Sequence, residues 1–246
     1  MFKNFFLILV LILITTTGCN KEKSDDSVKN LSFSIAEQIP VPEPSGLDLT
    51  FDETKFWVVS DENSTIYLID SWGREVKNFK VDGSDLEGIT VIDDSTLAVV
   101  LERSREVVIL DTAGTEMRRV KLNLEGELNS GLEGISYDST GKIFYLLNEK
   151  KPKLLLTLDK NLNELRRDTL NFSKDVSGIF FDDKEKILWI LSDEGQSIHK
   201  TDLNGKSFDE LKITIAQPEG ITLNKNRTKL YVVSDNSNSL YVFNLE

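Results

Sequence analysis

A short motif, Glu-Gly-Ile, occurs three times in this sequence, within LEGIT (86–90), LEGIS (132–136) and PEGIT (218–222). Two degenerate copies, SGLDL and SGIFF, keep the same phase. The glycines of the five copies follow one another at intervals of 42, 46, 44 and 42 residues: Gly46, Gly88, Gly134, Gly178 and Gly220. A period of roughly 20–50 residues indicates a repeat architecture, in which each repeat is one supersecondary unit. The chain is therefore constrained to fold as five similar units.

Each unit has the local chemistry of β-strands. A run rich in valine, isoleucine and aromatic residues follows the glycine, as in FWVVSD, LAVVLE, LWILSD and LYVVSD, and turns such as DSWG, DTAG and DLNG follow later. Such runs predict strands, and no long segment beyond the N-terminus has helical apolar spacing. Four strands per unit predict an all-β fold, a β-propeller of five four-stranded blades. Six blades are the alternative, although the sixth would need to lack a recognisable repeat.

The two ends of the sequence predict how the ring closes. The fifth unit contains three predicted strands before Glu246, and a spare strand, LSFSIAEQI (31–39), precedes the first repeat. We expect this spare strand to complete the fifth blade, because the pairing closes the ring and removes an exposed strand edge.

Acidic residues recur at two positions of the repeat that a propeller brings together. The innermost strand of each blade starts beside the glycine and the next strand ends at an acidic residue, so both positions lie at one mouth of the central channel. Eight of the ten residues there are acidic: Glu87, Glu133, Glu219, Asp61, Glu102, Glu149, Asp193 and Asp235. Carboxylates this close together require raised pKa values or a compensating cation, and oxygen ligands suit Ca²⁺. We predict a ligand site at this mouth, with a divalent cation, Ca²⁺ first, or a cationic ligand group near Glu87, Glu133 and Glu219.

A structural role is the alternative interpretation of these residues. An aspartate in SDEN, SDEG or SDNS can accept hydrogen bonds within its own turn, and a glutamate beside a glycine can bond to the next blade. Recurrence in every blade favours this interpretation, because a binding site usually breaks the symmetry. Against it, Ser45 and Ser177 replace the glutamate in two units, which indicates that the fold does not require a carboxylate there.

The N-terminal residues predict export and a lipid anchor. Ten unbroken apolar residues, FFLILVLILI (5–14), follow Lys3 and are too few to span a bilayer, which needs about 20. TTTGC then ends in Cys19, the only cysteine, placed as in a bacterial lipobox. We predict a signal peptide over 1–18, lipidation at Cys19, a flexible tether over 19–30 and one propeller domain over 31–246. An ordinary secretory signal with an unmodified cysteine is the alternative.

Composition and motifs narrow the classes of function. The formal net charge of −12 argues against nucleic acid as a partner, since binding it requires clustered lysine and arginine. His199 is the single histidine, which excludes sites built from several histidines. No P-loop, Gly-x-Ser-x-Gly or Gly-x-Gly-x-x-Gly motif occurs, and we assign no catalytic residue.

Three long segments resemble the SdiA-regulated family of extracytoplasmic β-propeller proteins: SGLDLTFDETKFWVVSDENSTIYLID, LEGITVIDDSTLAVVLERSREVVILD and PEGITLNKNRTKLYVVSDNSNSLYVF. The resemblance covers residues 39–243 and implies a propeller in an exported location, without a settled activity. More distantly, the segments are similar to NHL-repeat proteins and to calcium-dependent lactonases of the gluconolactonase type.

Two functions from different classes are consistent with this sequence. The first is a binding or interaction module of the bacterial cell envelope, anchored to the membrane, with an unidentified small molecule or protein as ligand. The second is a divalent-metal-dependent hydrolase of lactonase or phosphoesterase type, with Glu87, Glu133 or Glu219 as metal ligands. We favour the binding module, because such metal sites normally mix Glu with Asn and Asp in unequal roles, whereas the inner ring holds near-identical Glu and Ser.

Overall fold

Short runs of β-branched and aromatic residues, each ended by a turn, form 21 strands in the computed structural model, which describes residues 29–245. No helix long and apolar enough to cross a membrane is present in this range. The predicted signal peptide, the predicted lipidation site Cys19 and residues 20–28 of the predicted tether lie outside the described residues.

The strands form five sheets, one per predicted blade. Before the first repeat come β1 (Lys29–Asn30) and β2 (Ile35–Gln38). Blade 1 contains β3 (Pro44–Leu49), β4 (Lys55–Ser60), β5 (Thr65–Asp70) and β6 (Glu75–Lys80). Blade 2 contains β7 (Leu86–Val91), β8 (Thr96–Leu101), β9 (Glu106–Asp111) and β10 (Glu116–Lys121). Blade 3 contains β11 (Leu132–Asp138), β12 (Ile143–Asn148), β13 (Leu154–Asp159) and β14 (Glu164–Thr169).

Blade 4 contains β15 (Ile179–Asp182), β16 (Ile187–Ser192), β17 (Ser197–Thr201) and β18 (Ser207–Lys212). Blade 5 contains β19 (Pro218–Leu223), β20 (Lys229–Ser234) and β21 (Ser239–Asn244). Within each blade the repeat strands pair antiparallel in chain order. The prediction of an all-β propeller with five four-stranded blades is therefore confirmed.

The ring closes through the N-terminal strand, as predicted. Strand β2 pairs antiparallel with β21, with Ile35 opposite Val242, and so supplies the fourth strand of blade 5. Packing reinforces the pairing. Ile39 is 4% exposed, and the ring of Phe33 packs edge-on against that of Tyr241 with the ring centroids 4.9 Å apart. The strand is shorter than the predicted segment 31–39, since only four residues of it pair.

Lys29 and Asn30, which the sequence analysis assigned to the tether, form a short strand of their own. Strand β1 pairs in parallel with β18 and makes blade 4 a five-stranded sheet. The amide of Leu31 continues this contact by donating a hydrogen bond to the carbonyl oxygen of Lys212 at 2.8 Å. Described structure therefore begins before the predicted domain boundary at residue 31.

Turn aspartates fix the hairpin between the third and fourth strands of a blade. One carboxylate oxygen of Asp70 accepts hydrogen bonds from the amides of Trp72 and Arg74, at 2.9 and 3.0 Å. The same two-bond pattern recurs at Asp111, Asp159 and Asp202. Aspartate at this position thus satisfies backbone donors that the tight turn leaves without carbonyl partners.

The hydrophobic core lies between blades. In strand β4, Trp57 and Val59 pack with Leu97 of blade 2, whereas the alternate residue Val58 packs with Val233 of blade 5. Both faces of the inner strands are therefore buried, which explains their nearly continuous apolar runs.

A half-buried carboxylate of an innermost strand also joins three blades. Asp48 of blade 1 accepts hydrogen bonds from the Val91 amide of blade 2 and the Thr222 hydroxyl of blade 5, both at 2.8 Å. Burial raises the pKa of Asp48, and these donors oppose that rise. These hydrogen bonds connect the first repeat to the last, where the ring closes.

Candidate functional site

The Glu-Gly motif coincides with an irregularity at the start of the innermost strand. In blades 1, 2, 3 and 5, the pairing of the first two strands shifts register across the residues before the glycine. An extra residue of this kind bends the strand and changes the direction of its side chains. Opposite it, the residue directly after the second strand is bonded through its backbone amide. For example, the amide of Asp61 donates a hydrogen bond to the carbonyl oxygen of Glu43 at 3.1 Å.

These elements enclose a cavity of about 190 Å³ at one end of the channel, which we call the acidic mouth. Its lining residues are Glu43, Ser45, Asp61, Glu87, Glu133, Glu149, Asp175, Ser177, Asp193, Glu219 and Asp235. Nine of the ten positions singled out in the sequence are among them, and Glu102, the tenth, lies beside Glu133 and Glu149. Nine of the eleven lining side chains are carboxylic acids.

The repeat glycines form the floor of the acidic mouth. The space between them is about 10 Å³, and a water molecule needs roughly 10–15 Å³, so the channel is nearly closed at this level. A Cβ atom on Gly46 would lie 2.4 Å from the carbonyl oxygen of Glu87, and one on Gly178 would lie 2.4 Å from that of Glu219. Glycine is therefore required because each inner strand touches the backbone of the next blade.

The three glutamates that precede a glycine line both the mouth and its glycine floor. Burial, followed by the negative charges of Asp61 and Glu219, raises the pKa of Glu87 well above its ordinary value. Burial and the neighbouring carboxylates have the same effect on the pKa of Glu133 and of Glu219. Their side chains nevertheless keep partial contact with the cavity, so a ligand entering the mouth can reach them.

The outer acids of the mouth are shifted in the same direction. Burial is the first cause of the raised pKa of each of these groups: Glu43, Asp61, Glu102, Glu149, Asp193 and Asp235. For Glu149, the ammonium group of Lys150 opposes the rise at a distance of 2.5 Å. Within residues 29–245, no lysine or arginine forms an ion pair with Glu87, Glu133 or Glu219.

One group of carboxylates is close enough to share a metal ion. Single oxygen atoms of Glu102, Glu133 and Glu149 all lie within 4.8 Å of one another. This set shares Glu133 with the set predicted from the sequence. In place of Glu87 and Glu219 it has Glu102 and Glu149, which directly follow the second strands of blades 2 and 3. Glu102 has one further partner, the Gly131 amide, at 3.2 Å. Hard oxygen ligands at this spacing fit Ca²⁺ better than softer metals.

Two residues of the acidic mouth were missed in the sequence analysis, Glu43 and Asp175. Both stand three residues before a repeat glycine, in the two blades that carry Ser45 and Ser177. Asp175 accepts hydrogen bonds from the Ser192 hydroxyl and the Glu194 amide, at 2.5 and 3.0 Å, so it also fixes a turn. The sequence contained a signal for them, because an acidic residue, Asp85, also stands three residues before the glycine in blade 2.

The single histidine is remote from this site. His199 lies in β17, is 4% exposed and bonds to the hydroxyls of Ser197 and Ser207. Burial lowers its pKa, so the neutral ring fills a structural role.

The raised pKa values predict how stability depends on pH. The folded protein keeps protons on Glu87, Glu133 and Glu219 that the unfolded chain releases above about pH 4.3. Since the folded state then binds more protons, the free energy of unfolding should fall as pH rises from the unfolded value through the raised folded-state pKa values. Denaturant titrations in the presence of EDTA measure this. Changing all three to Gln should flatten the decline and raise stability at pH 8; an equal slope in both proteins would contradict the assignment.

Comparison with known proteins identifies the family of this sequence. The sequence profile of the SdiA-regulated family matches residues 33–244. Among solved structures, a glutaminyl cyclase from Myxococcus xanthus superposes with a TM-score of 0.71 at 10% identity, covering 89% of this chain and 99% of that one. The β-propeller domain of Cps50 (Swd1) from Myceliophteria thermophila superposes with a TM-score of 0.51 at 12% identity, covering 81% and 65%. At these identities the two structures show the fold alone, whereas the profile match spans most of the propeller: the chain belongs to the SdiA-regulated family.

Proposed function

We propose that this protein is an exported, lipid-anchored binding module whose acidic mouth takes up a cation. The ligand is either a divalent metal ion, Ca²⁺ first, or the cationic group of a small molecule or protein. The observation that carries this proposal is the cavity lined by nine carboxylic acids, of which Glu149 is the one that pairs with a lysine among residues 29–245.

The electrostatics of the mouth favour a cation over any other ligand class. Like charges held together out of bulk water repel each other, and they either retain protons or attract a positive charge. A cation that enters displaces those protons, so its affinity should increase as pH rises. The cavity of about 190 Å³ accommodates a hydrated ion or an amine group more readily than a large organic molecule.

Glu102, Glu133 and Glu149 are the residues that would hold a metal ion. Oxygen ligands lie about 2.3–2.6 Å from Ca²⁺, so two ligands of one ion are separated by up to roughly 5 Å. The 4.8 Å limit of this group meets that condition. Ca²⁺ takes six to eight oxygen ligands. The other carboxylates of the mouth and water would supply the remainder.

Thermal unfolding with CaCl₂, MgCl₂ or MnCl₂ tests the proposal. Ligand at about one hundred times its Kd stabilises by about 2.7 kcal/mol, which for a domain of this size raises Tm by roughly 5–10 °C. Glu102→Gln/Glu149→Gln should abolish the rise, because two of three closely spaced ligands lose their charge. The matched variant Glu87→Gln/Glu219→Gln keeps that group and should only reduce it.

Each alternative has a distinct outcome in this experiment. A rise lost in Glu87→Gln/Glu219→Gln and kept in Glu102→Gln/Glu149→Gln would assign the ion to the set predicted from the sequence. If no divalent cation raises Tm, titration with spermidine tests an organic cation. No response to any of these, with Gln variants more stable than wild type, would make the mouth a purely structural ring.

The lipid anchor is tested separately through Cys19. Cys19→Ala should move the protein from the membrane fraction to the soluble fraction of cells that express the full chain, because the acylation site is lost. Thr17→Ala, which changes the same segment and keeps the cysteine, should remain in the membrane fraction. Equal distribution of both variants would contradict lipidation.

A catalytic function is the second candidate. It is favoured by the raised pKa values of Glu87, Glu133 and Glu219, because a carboxylic acid whose pKa is raised by burial is better suited to act as a general acid. The candidates are a divalent-metal-dependent lactonase or phosphoesterase and, from the structural neighbour, a glutaminyl cyclase. Turnover of lactones, phosphoesters or peptides with N-terminal glutamine that disappears in Glu133→Gln would establish it.

A further inference from the structure

A lysine pairs with one of the acids that line the acidic mouth. Lys150 lies in the turn between β12 and β13, directly after Glu149. Its ammonium nitrogen is 2.5 Å from a carboxylate oxygen of Glu149 and 3.5 Å from one of Glu194, which lies outside the lining of the mouth. Glu149 also belongs to the group of three carboxylates that would hold a metal ion. The lysine and that ion would therefore bind the same carboxylate.

The turn that carries Lys150 is held in place by hydrogen bonds. Asn148 is 1% exposed, and its side-chain amide donates to the carbonyl oxygen of Pro152 at 2.8 Å. The backbone amide of Glu149 donates to the carbonyl oxygen of Gly131, also at 2.8 Å. The side chain of Lys150 is 33% exposed. The ammonium group therefore lies against Glu149 on a well-anchored backbone.

The turn itself does not require a lysine at this position. The residues that directly follow the second-strand acid in blades 1 to 5 are Glu62, Arg103, Lys150, Glu194 and Asn236. Arg103 is the other cation among them, and its guanidinium pairs at 3.0 Å with Asp85, which does not line the mouth. In the part of the chain that the structure describes, blade 3 is thus the one blade that holds a cation against a lining acid.

A bound metal ion and this ammonium group would repel each other. An ion on the same oxygen of Glu149 would lie no more than about 5 Å from the Lys150 nitrogen, because Ca²⁺–oxygen distances are about 2.3–2.6 Å. Even with the dielectric constant of water, a divalent charge at that distance from an ammonium group is bound about tenfold more weakly. The repulsion decreases if the lysine moves to Glu194, whose side chain is 47% exposed and has no other basic partner among residues 29–245.

We propose that Lys150 is a tethered competitor of the cation that the acidic mouth binds. This inference rests on the proposed function and concerns the regulation of the same site. When the mouth holds no cation, the ammonium group neutralises Glu149. When a divalent ion binds, the lysine transfers to Glu194 and leaves Glu149 to the ion. The mouth then binds divalent ions more weakly than its acids alone would, and it releases them when their concentration falls.

Calorimetric titration of the full chain with CaCl₂ at one fixed pH tests the competition. Lys150→Met removes the ammonium group and should lower the Kd for Ca²⁺ about tenfold. Lys150→Arg keeps the charge and should show no such gain. Arg103→Met is the matched control, because it removes the same charge from the equivalent position of blade 2 without releasing a lining acid. Its gain in affinity should be smaller.

Glu194→Gln tests the second position of the lysine. It should weaken Ca²⁺ binding in the wild type, because Lys150 loses its alternative partner, and have much less effect when combined with Lys150→Met. A double-mutant cycle measures this coupling. Equal effects with and without the lysine would mean that Glu194 acts only through its own charge, which would overturn the transfer.

The possible results separate this inference from the proposed function. Ca²⁺ binding with the same Kd in wild type and Lys150→Met would overturn the competition and leave the cation site intact. Equal gains in Lys150→Met and Arg103→Met would also overturn it, since the loss of a nearby charge would explain both. Binding that is measurable only in Lys150→Met would support it. Neither heat of binding nor a rise in Tm in any variant would contradict both the inference and the proposed function.

Discussion

Gly46→Ala and Gly178→Ala are expected to lower the Tm of the propeller by roughly 6–12 °C, which corresponds to about 3 kcal/mol in a domain of this size. In each variant the new methyl group would lie 2.4 Å from a backbone carbonyl oxygen of the next blade. That oxygen belongs to the innermost strand of the next blade, which is hydrogen-bonded to the second strand of its own blade. Because the strand cannot move by itself, relief of the clash requires the two blades to separate. Neither glycine has a positive φ, so steric overlap is the cause of the loss.

Gly134→Ala is the matched control for this prediction. Its Cβ would lie 3.0 Å from a side-chain methyl group of Ile179 and 3.1 and 3.2 Å from backbone atoms of Ile179 and Ser177, which is a milder overlap than 2.4 Å. We expect a smaller decrease in Tm, measured by the same calorimetric scan. Equal decreases in all three variants would show that glycine matters at these positions for a reason other than contact between blades.

Removal of the N-terminal strand is expected to cause aggregation or a decrease in Tm of at least 10 °C. A chain that starts at residue 40 lacks β2 and Ile39, so β21 keeps only its pairing with β20 and the apolar residues beneath are uncovered. Burial of one isoleucine side chain alone contributes about 1.5–3 kcal/mol, and an unpaired strand edge promotes association. Size-exclusion chromatography and thermal unfolding measure both effects.

A chain that starts at residue 31 provides the comparison for this deletion. It loses only β1, a two-residue strand on the outer edge of blade 4, and keeps the closure of blade 5. We expect it to remain monomeric, with a Tm close to that of the longer chain. If the chain from residue 40 is equally stable and monomeric, closure by β2 does not hold the ring together.

The acidic mouth weakens one argument made from the sequence. Ser45 and Ser177 suggested that a carboxylate at the position before the glycine is dispensable. In those two blades, however, Glu43 and Asp175 line the same cavity from three residues before the glycine. Every blade therefore contributes acids to the mouth. The functional interpretation then rests on the confinement of these acids in one cavity, and no longer on the two blades in which serine replaces glutamate.

The sequence by itself determined the architecture of this protein. Blade number followed from the spacing of five glycines, and strand identity followed from apolar runs between turn formers such as DSWG. Closure by residues 31–39 followed from counting the strands of the last repeat. These features are local or periodic, so they can be read without knowing which residues meet in space.

Only the tertiary structure decided which side chains meet. Glu102, Glu133 and Glu149 come from two blades, and their spacing depends on the radius of the ring and on the irregular start of each inner strand. The burial of the Trp189 indole nitrogen without an acceptor among residues 29–245 likewise depends on its neighbours in space. Sequence patterns fix the direction of a side chain within one strand, whereas distance, burial and pKa depend on neighbours from other blades, because electrostatic and packing energies are set by separation in space.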